Sequence, residues 1–125
     1  MTEDLHMDRD HQHLMDGRTI LYTYSTYSGG LRFEVHFAEG KVSYQVIGDS
    51  GSVNSQNSDI PYQSRQIRPN LIHTVWHETS IGDIVSLVID LDAMRIYSAA
   101  LLGYRDDDPM LHFEDGVIEK MSSAD

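Results

Sequence analysis

From Arg18 onward, most apolar residues of the chain recur at every second position. The clearest run places Leu31, Phe33, Val35 and Phe37 on one face, with polar residues between them. Alternation of this kind predicts β-strands that bury one face and leave the other in solvent. We therefore expect strands rather than helices to build the domain.

Turn-forming segments separate about eight such runs. The predicted strands lie within residues 19–27, 31–37, 42–46, 60–63, 71–78, 84–91, 95–102 and 111–121. The segment 48–58, rich in Gly, Ser and Asn, is predicted to be a loop or an irregular edge. A helical turn after the last strand is left open. Short strands at this spacing favour a single all-β domain, an antiparallel up-and-down barrel, with a small sandwich as the alternative.

A barrel of about eight strands has an interior that side chains fill or that holds one small ligand. Along residues 71–78, one face of the predicted strand carries Ile72, Thr74, Trp76 and Glu78. If Trp76 faces inward, Glu78 follows it by alternation and lies in the barrel or at its mouth. The opposite face carries Leu71 and Val75, and we expect a second copy of the protein to cover it as a homodimer.

The charge of the chain limits its partners. Nine Lys and Arg oppose 20 Asp and Glu, and the net charge is -11. Such a protein repels phosphate backbones and anionic membranes, so we expect no nucleic acid and no membrane as partner. Residues 18–105 contain 7 basic and 8 acidic residues. The acidity therefore lies in the flanks, and a small anionic ligand inside the barrel remains compatible with the charge.

The termini and the absence of cysteine bound the remaining classes. Residues 1–16 alternate acids with His and hold no apolar run, so we expect a flexible acidic tail and a cytoplasmic protein. The barrel domain is predicted over residues 17–121, with a tail at 122–125. His6, His11 and His13 offer ligands for a divalent metal, but an acidic tail explains them better, and no metal site is predicted. Without Cys there are no disulfides and no thiolate sites.

Several motifs resemble known families. GRTILYTY at 17–24, LRFE at 31–34 and WHE at 76–78 resemble the bacterial phenolic acid decarboxylases, which are calycin-type, lipocalin-like barrels. A closer resemblance, to the molybdenum cofactor biosynthesis protein F (MoaF) family, runs through PYQ at 61–63, RPN at 68–70, VWHE at 75–78, IGDIVSLVID at 81–90 and YS at 97–98. The MoaF resemblance implies the same calycin barrel but no reaction that residues can be assigned to.

The decarboxylase resemblance implies a cofactor-free lyase. Its carboxylate-binding tyrosine pair matches Tyr22 and Tyr24, and its proton-transferring glutamate matches Glu78. The family's arginine has no counterpart, since its position falls on Asn54. Arg65 and Arg68 are the candidates to replace it.

Two functions are carried forward. In the first, the barrel binds a small aromatic or unsaturated acid and decarboxylates it, with Glu78, Tyr22 and Tyr24 as catalytic residues. In the second, it is a non-catalytic binding or carrier module. The predicted ligand-binding residues in both are Tyr44, Tyr62, Thr74, Trp76, Arg65 and Arg68. A purely structural protein would instead have an interior filled with side chains.

Overall fold

A computed structural model describes residues 13–25, 31–47 and 53–123, with the side chains of residues 53–55 left out. The strands are β1 (Arg18–Tyr24), β2 (Arg32–Ala38), β3 (Lys41–Ile47), β4 (Val53–Arg68), β5 (Leu71–Glu78), β6 (Asp83–Asp90), β7 (Arg95–Leu102) and β8 (Met110–Ser123). A short turn at residues 13–17 precedes β1.

The eight strands form one closed barrel. Each strand pairs antiparallel with the next along the chain, and β8 pairs with β1 to close the sheet. Closure leaves no exposed sheet edge, which short alternating strands would otherwise present to other chains. The predicted all-β, up-and-down barrel is confirmed, and its architecture is that of a calycin.

The fourth strand corrects one prediction. Residues 53–58 were expected in a loop or an irregular edge, but they belong to β4 inside the closed sheet, where Asn57 pairs with Tyr44. Main-chain hydrogen bonds to β3 form whatever the side chains are, and a register shift with a positive φ of 57° at Asp59 bends the strand there. Residues 48–52 of the expected loop lie outside the described residues. The sequence left open whether a helical turn follows the last strand. The structure shows strand throughout residues 110–123.

One end of the barrel is filled. The alternating inward residues near the starts of β1, β3, β5 and β7 pack into a continuous core, and the turn at 13–17 adds Met15, which is fully buried. Among the described residues, the buried apolar ones are Met15, Ile20, Tyr22, Tyr24, Val35, Phe37, Val42, Val46, Ile60, Tyr62, Ile72, Trp76, Leu87, Ile89, Ile96, Ala100 and Ile118. We call this end the closed end.

The opposite end, which we call the open end, is where β1, β3, β5 and β7 finish. Two of the connections there, residues 26–30 and 48–52, lie outside the described residues. The other two are the turn at residues 79–82 and the loop at 103–109, joined by a hydrogen bond from the Tyr104 amide to the Gly82 carbonyl (2.7 Å). Ile81 of this turn and Met110 directly after this loop lie at the mouth of the interior.

Candidate functional site

The interior opens into a cavity of about 460 Å³ at the open end of the barrel. Inward residues of β1, β2, β3, β5, β6, β7 and β8 line it, including the rings of Tyr22, Tyr24, Phe33, Tyr44 and Trp76. Ligand pockets in proteins are of this size, and most are apolar with a few polar groups. The interior of this barrel is therefore filled at one end and hollow at the other.

Tyr22 and Tyr24 lie two residues apart on β1, so alternation brings both rings to the same face. Their hydroxyl oxygens are 3.5 Å apart and both residues line the cavity. Burial is the main cause that raises the pKa of each tyrosine above its usual value, and for Tyr22 the neighbouring Tyr24 raises it further. Both phenols are therefore neutral at physiological pH, and each carries a proton that it can donate to a ligand oxygen.

Glu78, the last residue of β5, is buried with 3% of its surface exposed. Its Oε1 accepts hydrogen bonds from the Tyr44 hydroxyl (2.7 Å) and the Asn57 side-chain amide (2.9 Å). Its Oε2 accepts one from Trp76 Nε1 (2.9 Å). Glu78 does not itself line the cavity, but two of its three donors do. Its carboxylate therefore holds Tyr44 and Trp76 in place in the cavity wall.

The other predicted ligand-binding residues lie away from the cavity. Tyr62 points to the closed end, where its hydroxyl donates to Asp16 Oδ1 (2.8 Å) and accepts from the Met15 amide (3.2 Å). Thr74 is fully buried in the interior but does not line the cavity. Arg65 is exposed on the outer face with its Nε donating to His73 Nδ1 (3.1 Å), and Arg68 is exposed at the end of β4.

Some residues of the cavity wall were not singled out from sequence. Phe33 stacks on Tyr22 with ring centroids 5.5 Å apart, and its alternation with Val35 was a sufficient signal. His112 contacts the edge of Tyr24 (4.9 Å between centroids), and its Nε2 lies 3.2 Å from Glu114 Oε2. Asp83 begins β6 at the mouth. No local pattern marks His112, because only barrel closure brings β8 beside β1. Asp83 pairs with Glu78 across the turn between β5 and β6, so it was within reach of the sequence analysis.

Other features of the described residues lie on the outer surface. A hollow of about 650 Å³ lies against the outer face of the first four strands and is lined largely by polar side chains such as Glu34, His36 and Gln45. Within the described ranges, no group of three or more His, Asp and Glu is placed to hold a metal ion. His6 and His11 lie outside them. The same ranges contain no helix with the length and hydropathy needed to cross a bilayer.

Comparison with known proteins agrees with this architecture. A crystal structure from Burkholderia vietnamiensis, provisionally described as a beta-lactamase, is similar to the chain with a TM-score of 0.66 at 15% sequence identity, covering 87% of this chain and 94% of that one. At this identity the likeness concerns the fold alone. None of the curated proteins compared matches the chain. The family model described as MoaF-like matches residues 17–115, which span β1 to β7 and the first part of β8, so the chain belongs to the MoaF-like family.

Proposed function

We propose that this barrel binds a small, partly aromatic molecule in the cavity at its open end and releases it unchanged. The observation that carries the proposal is the cavity of about 460 Å³, walled by five aromatic rings. Aromatic walls give a planar or apolar ligand a large contact area, and the Tyr22 and Tyr24 hydroxyls supply orientation. A protein with a purely structural role gains nothing from such a hollow, because unfilled space costs packing energy.

Trp76 provides the measurement. It is the single tryptophan of the chain and lines the cavity, so its fluorescence responds to a ligand there. We expect a panel of small aromatic amines, alcohols and acids to contain compounds that shift or quench its emission in a saturable way. Mass spectrometry of the bound fraction should recover those compounds unchanged.

Two alanines of β7 provide a matched pair of variants. Ala100 is buried and lines the cavity, whereas its neighbour Ala99 faces outward. Ala100→Leu should occupy part of the hollow and weaken binding about tenfold or more, since a forced fit in a packed site costs about 1–3 kcal/mol. Ala99→Leu should bind as the parent protein does. Equal affinity of the two variants, or a panel without any binder, would refute the proposal.

A lyase is the second candidate function, favoured by the neutral phenols of Tyr22 and Tyr24 side by side in the cavity wall. In it they hold a carboxylate, and a proton from Glu78 would have to reach the substrate through the Tyr44 hydroxyl, because Glu78 lies behind the cavity wall. Incubation with hydroxycinnamic acids should then release carbon dioxide, and Tyr22→Phe should slow the release at least about tenfold, the usual range for a lost hydrogen bond to a charged group. Tyr97→Phe on the outer face is the control. Absence of turnover over the whole panel removes this candidate.

A further inference from the structure

The charges around the cavity are of one sign. Asp83 lines its mouth, and Glu78 lies directly behind two of the lining rings. Glu114 lies beside the lining residue His112, with 4% of its side chain exposed. Among the described residues that line the cavity there is no Lys and no Arg. A ligand carboxylate would therefore meet three carboxylates and no Lys or Arg, and the ionisable base of the described lining, His112, already contacts Glu114 (3.2 Å).

The residues around the mouth do not reverse this sign. The two connections outside the described residues, 26–30 and 48–52, contain Asp49 and no basic residue. Of the described basic residues near this end, Arg32 donates to Glu119 (3.0 Å) on the outer surface. Arg105 lies over the ring of Tyr104, with 5.1 Å between its guanidinium carbon and the ring centroid. Both cations have partners outside the cavity.

The aromatic wall has the chemistry that attracts a positive charge. Tyr22, Tyr24 and Phe33 contact each other with centroid distances of 5.2 to 5.5 Å, and Tyr44 and Trp76 continue the wall at 6.5 Å. The face of an aromatic ring is negative, and groups of such rings bind alkylated ammonium ions in proteins. Asp83 adds a full negative charge, and its Oδ1 is held by the Gly103 amide (2.7 Å).

We propose that the ligand of this cavity is an organic cation, an ammonium group carried on an apolar body. The inference rests on the proposed function, and it replaces the expected acid with a ligand of opposite charge. The apolar body packs among the rings, and the ammonium group lies between the ring faces and Asp83. The net charge of -11 raises the concentration of such cations near the protein.

Two probes of nearly equal shape, phenyltrimethylammonium and the neutral tert-butylbenzene, test the charge directly. The anionic 4-tert-butylbenzoate, which adds a carboxylate to the neutral probe, is the third. Titrated against Trp76 fluorescence, the cation should bind about tenfold more tightly than the neutral probe and the anion most weakly, as expected for a desolvated cation on aromatic faces. Raising the salt concentration from about 0.05 M to 0.5 M should weaken binding of the cation alone.

Two aspartates of β6 provide the matched variants. Asp83 begins the strand at the mouth, and Asp90 ends it at the closed end. The Oδ1 of each accepts a hydrogen bond from a backbone amide, and the Oδ1 of an asparagine can accept the same bond. Asp83→Asn should weaken phenyltrimethylammonium binding about fivefold and leave tert-butylbenzene unchanged, within the usual range for one partly exposed charge. Asp90→Asn, with the same change in net charge, should leave both unchanged.

The outcomes separate this inference from the proposed function. If the neutral or anionic probe binds as tightly as the cation, or if Asp83→Asn and Asp90→Asn behave alike, the cation inference falls and ligand binding stands. If none of the three probes and no compound of the earlier panel binds, both fall.

Discussion

Glu78 fixes the side chains of the cavity wall at the open end of the barrel. Its two oxygens accept three hydrogen bonds from Tyr44, Asn57 and Trp76, so a buried carboxylate is satisfied without a basic partner. Hydrogen bonds to a charged acceptor are stronger than those between neutral groups. The cavity wall is therefore fixed by a side chain that lies behind it.

Replacing Glu78 by Gln tests this arrangement. A glutamine has only one acceptor oxygen, so its amide group must face Trp76 Nε1 or the donors Tyr44 and Asn57. We expect Glu78→Gln to lower the free energy of unfolding by about 1–3 kcal/mol, the cost of an unsatisfied buried donor. Urea unfolding monitored by circular dichroism measures the loss. Glu39→Gln, at an exposed turn position, should change stability by less than about 0.5 kcal/mol.

Four tyrosines, three of them buried and Tyr44 partly buried, should resist ionisation. Burial is the main cause that raises the pKa of Tyr22, Tyr24, Tyr44 and Tyr62 above the usual value near 10. In the unfolded chain these phenols ionise near pH 10, so the folded state loses stability as the pH rises above that value. Absorbance at about 295 nm, the phenolate band, should show these four tyrosines ionising only as the protein unfolds. Reversible titration of all seven tyrosines in the folded protein would contradict the predicted burial.

At the scale of elements, the turn at residues 13–17 closes one end of the barrel. Met15 is fully buried, and the amide of Gly17 donates to the carbonyl of Phe37 (2.8 Å). The Tyr62 hydroxyl joins this turn to β4 by contacting both Met15 and Asp16. The turn therefore fills the closed end as a plug and is hydrogen-bonded to the strands around it.

Removal of that hydroxyl should loosen the plug. Tyr62→Phe keeps the ring in the core but deletes the bonds to Met15 and Asp16, so we expect a loss of about 1–3 kcal/mol in unfolding free energy. Hydrogen exchange should show faster exchange of the Met15 amide. Tyr97→Phe, whose ring is exposed on β7, is the control and should leave both measurements unchanged. Unaltered exchange at Met15 in Tyr62→Phe would show that other contacts hold the turn.

The closure of β8 on β1 depends on one glycine. A Cβ on Gly116 would lie 2.5 Å from the carbonyl oxygen of Thr23, closer than real Cβ contacts. Gly116→Ala should therefore lower the unfolding free energy by about 1–3 kcal/mol, as overpacking does. Thermal unfolding measures it, with the exposed Lys120→Ala on the same strand as the control. A variant as stable as the parent would mean that the strand pair moves apart without cost.

Sequence alternation was most informative at this scale. Residues 71–78 were predicted to place Ile72, Thr74, Trp76 and Glu78 on one face, and all four are buried. Alternation did not predict a strand at residues 53–58. Their mostly polar sequence carries no alternating signal, although their backbone pairs with β3. Side-chain patterns report burial, and a strand that crosses the polar rim of a barrel has little to bury.

At the scale of the whole molecule, the outer face of β6, β7 and β8 is unusually apolar. Ile84, Leu101 and Leu111 lie in one row across the three strands, and Phe113 lies in the next row beside Ala99. Leu111 and Phe113 are 73% and 77% exposed. Exposed apolar clusters on soluble proteins usually mark contacts with other molecules.

The homodimer expected from sequence, through the outer face with Leu71 and Val75, stays a prediction. The more exposed apolar row of β6 to β8 is the second surface at which a dimer can be tested. We expect sedimentation to detect a dimer at micromolar concentration, and Phe113→Ser to shift it toward monomer by removing the most exposed ring. Ile67 lies near the end of β4 and is 54% exposed, so Ile67→Ser is the matched control. A parent protein that is monomeric at about 100 µM, a concentration far above the dissociation constant of most specific dimers, would contradict the expectation.

The sequence by itself predicted about eight strands and the shared face of Tyr22 and Tyr24 and of Trp76 and Glu78, because alternation and turn chemistry are local properties of the chain. It favoured a barrel over a small sandwich, and closure of the sheet decided between them. Tertiary structure decided what local patterns cannot express. Closure separated a filled end from a hollow one, put Glu78 behind the cavity wall instead of in it, and left Arg65 and Arg68 outside. Each of these depends on which distant strands become neighbours, and only the closed sheet specifies that.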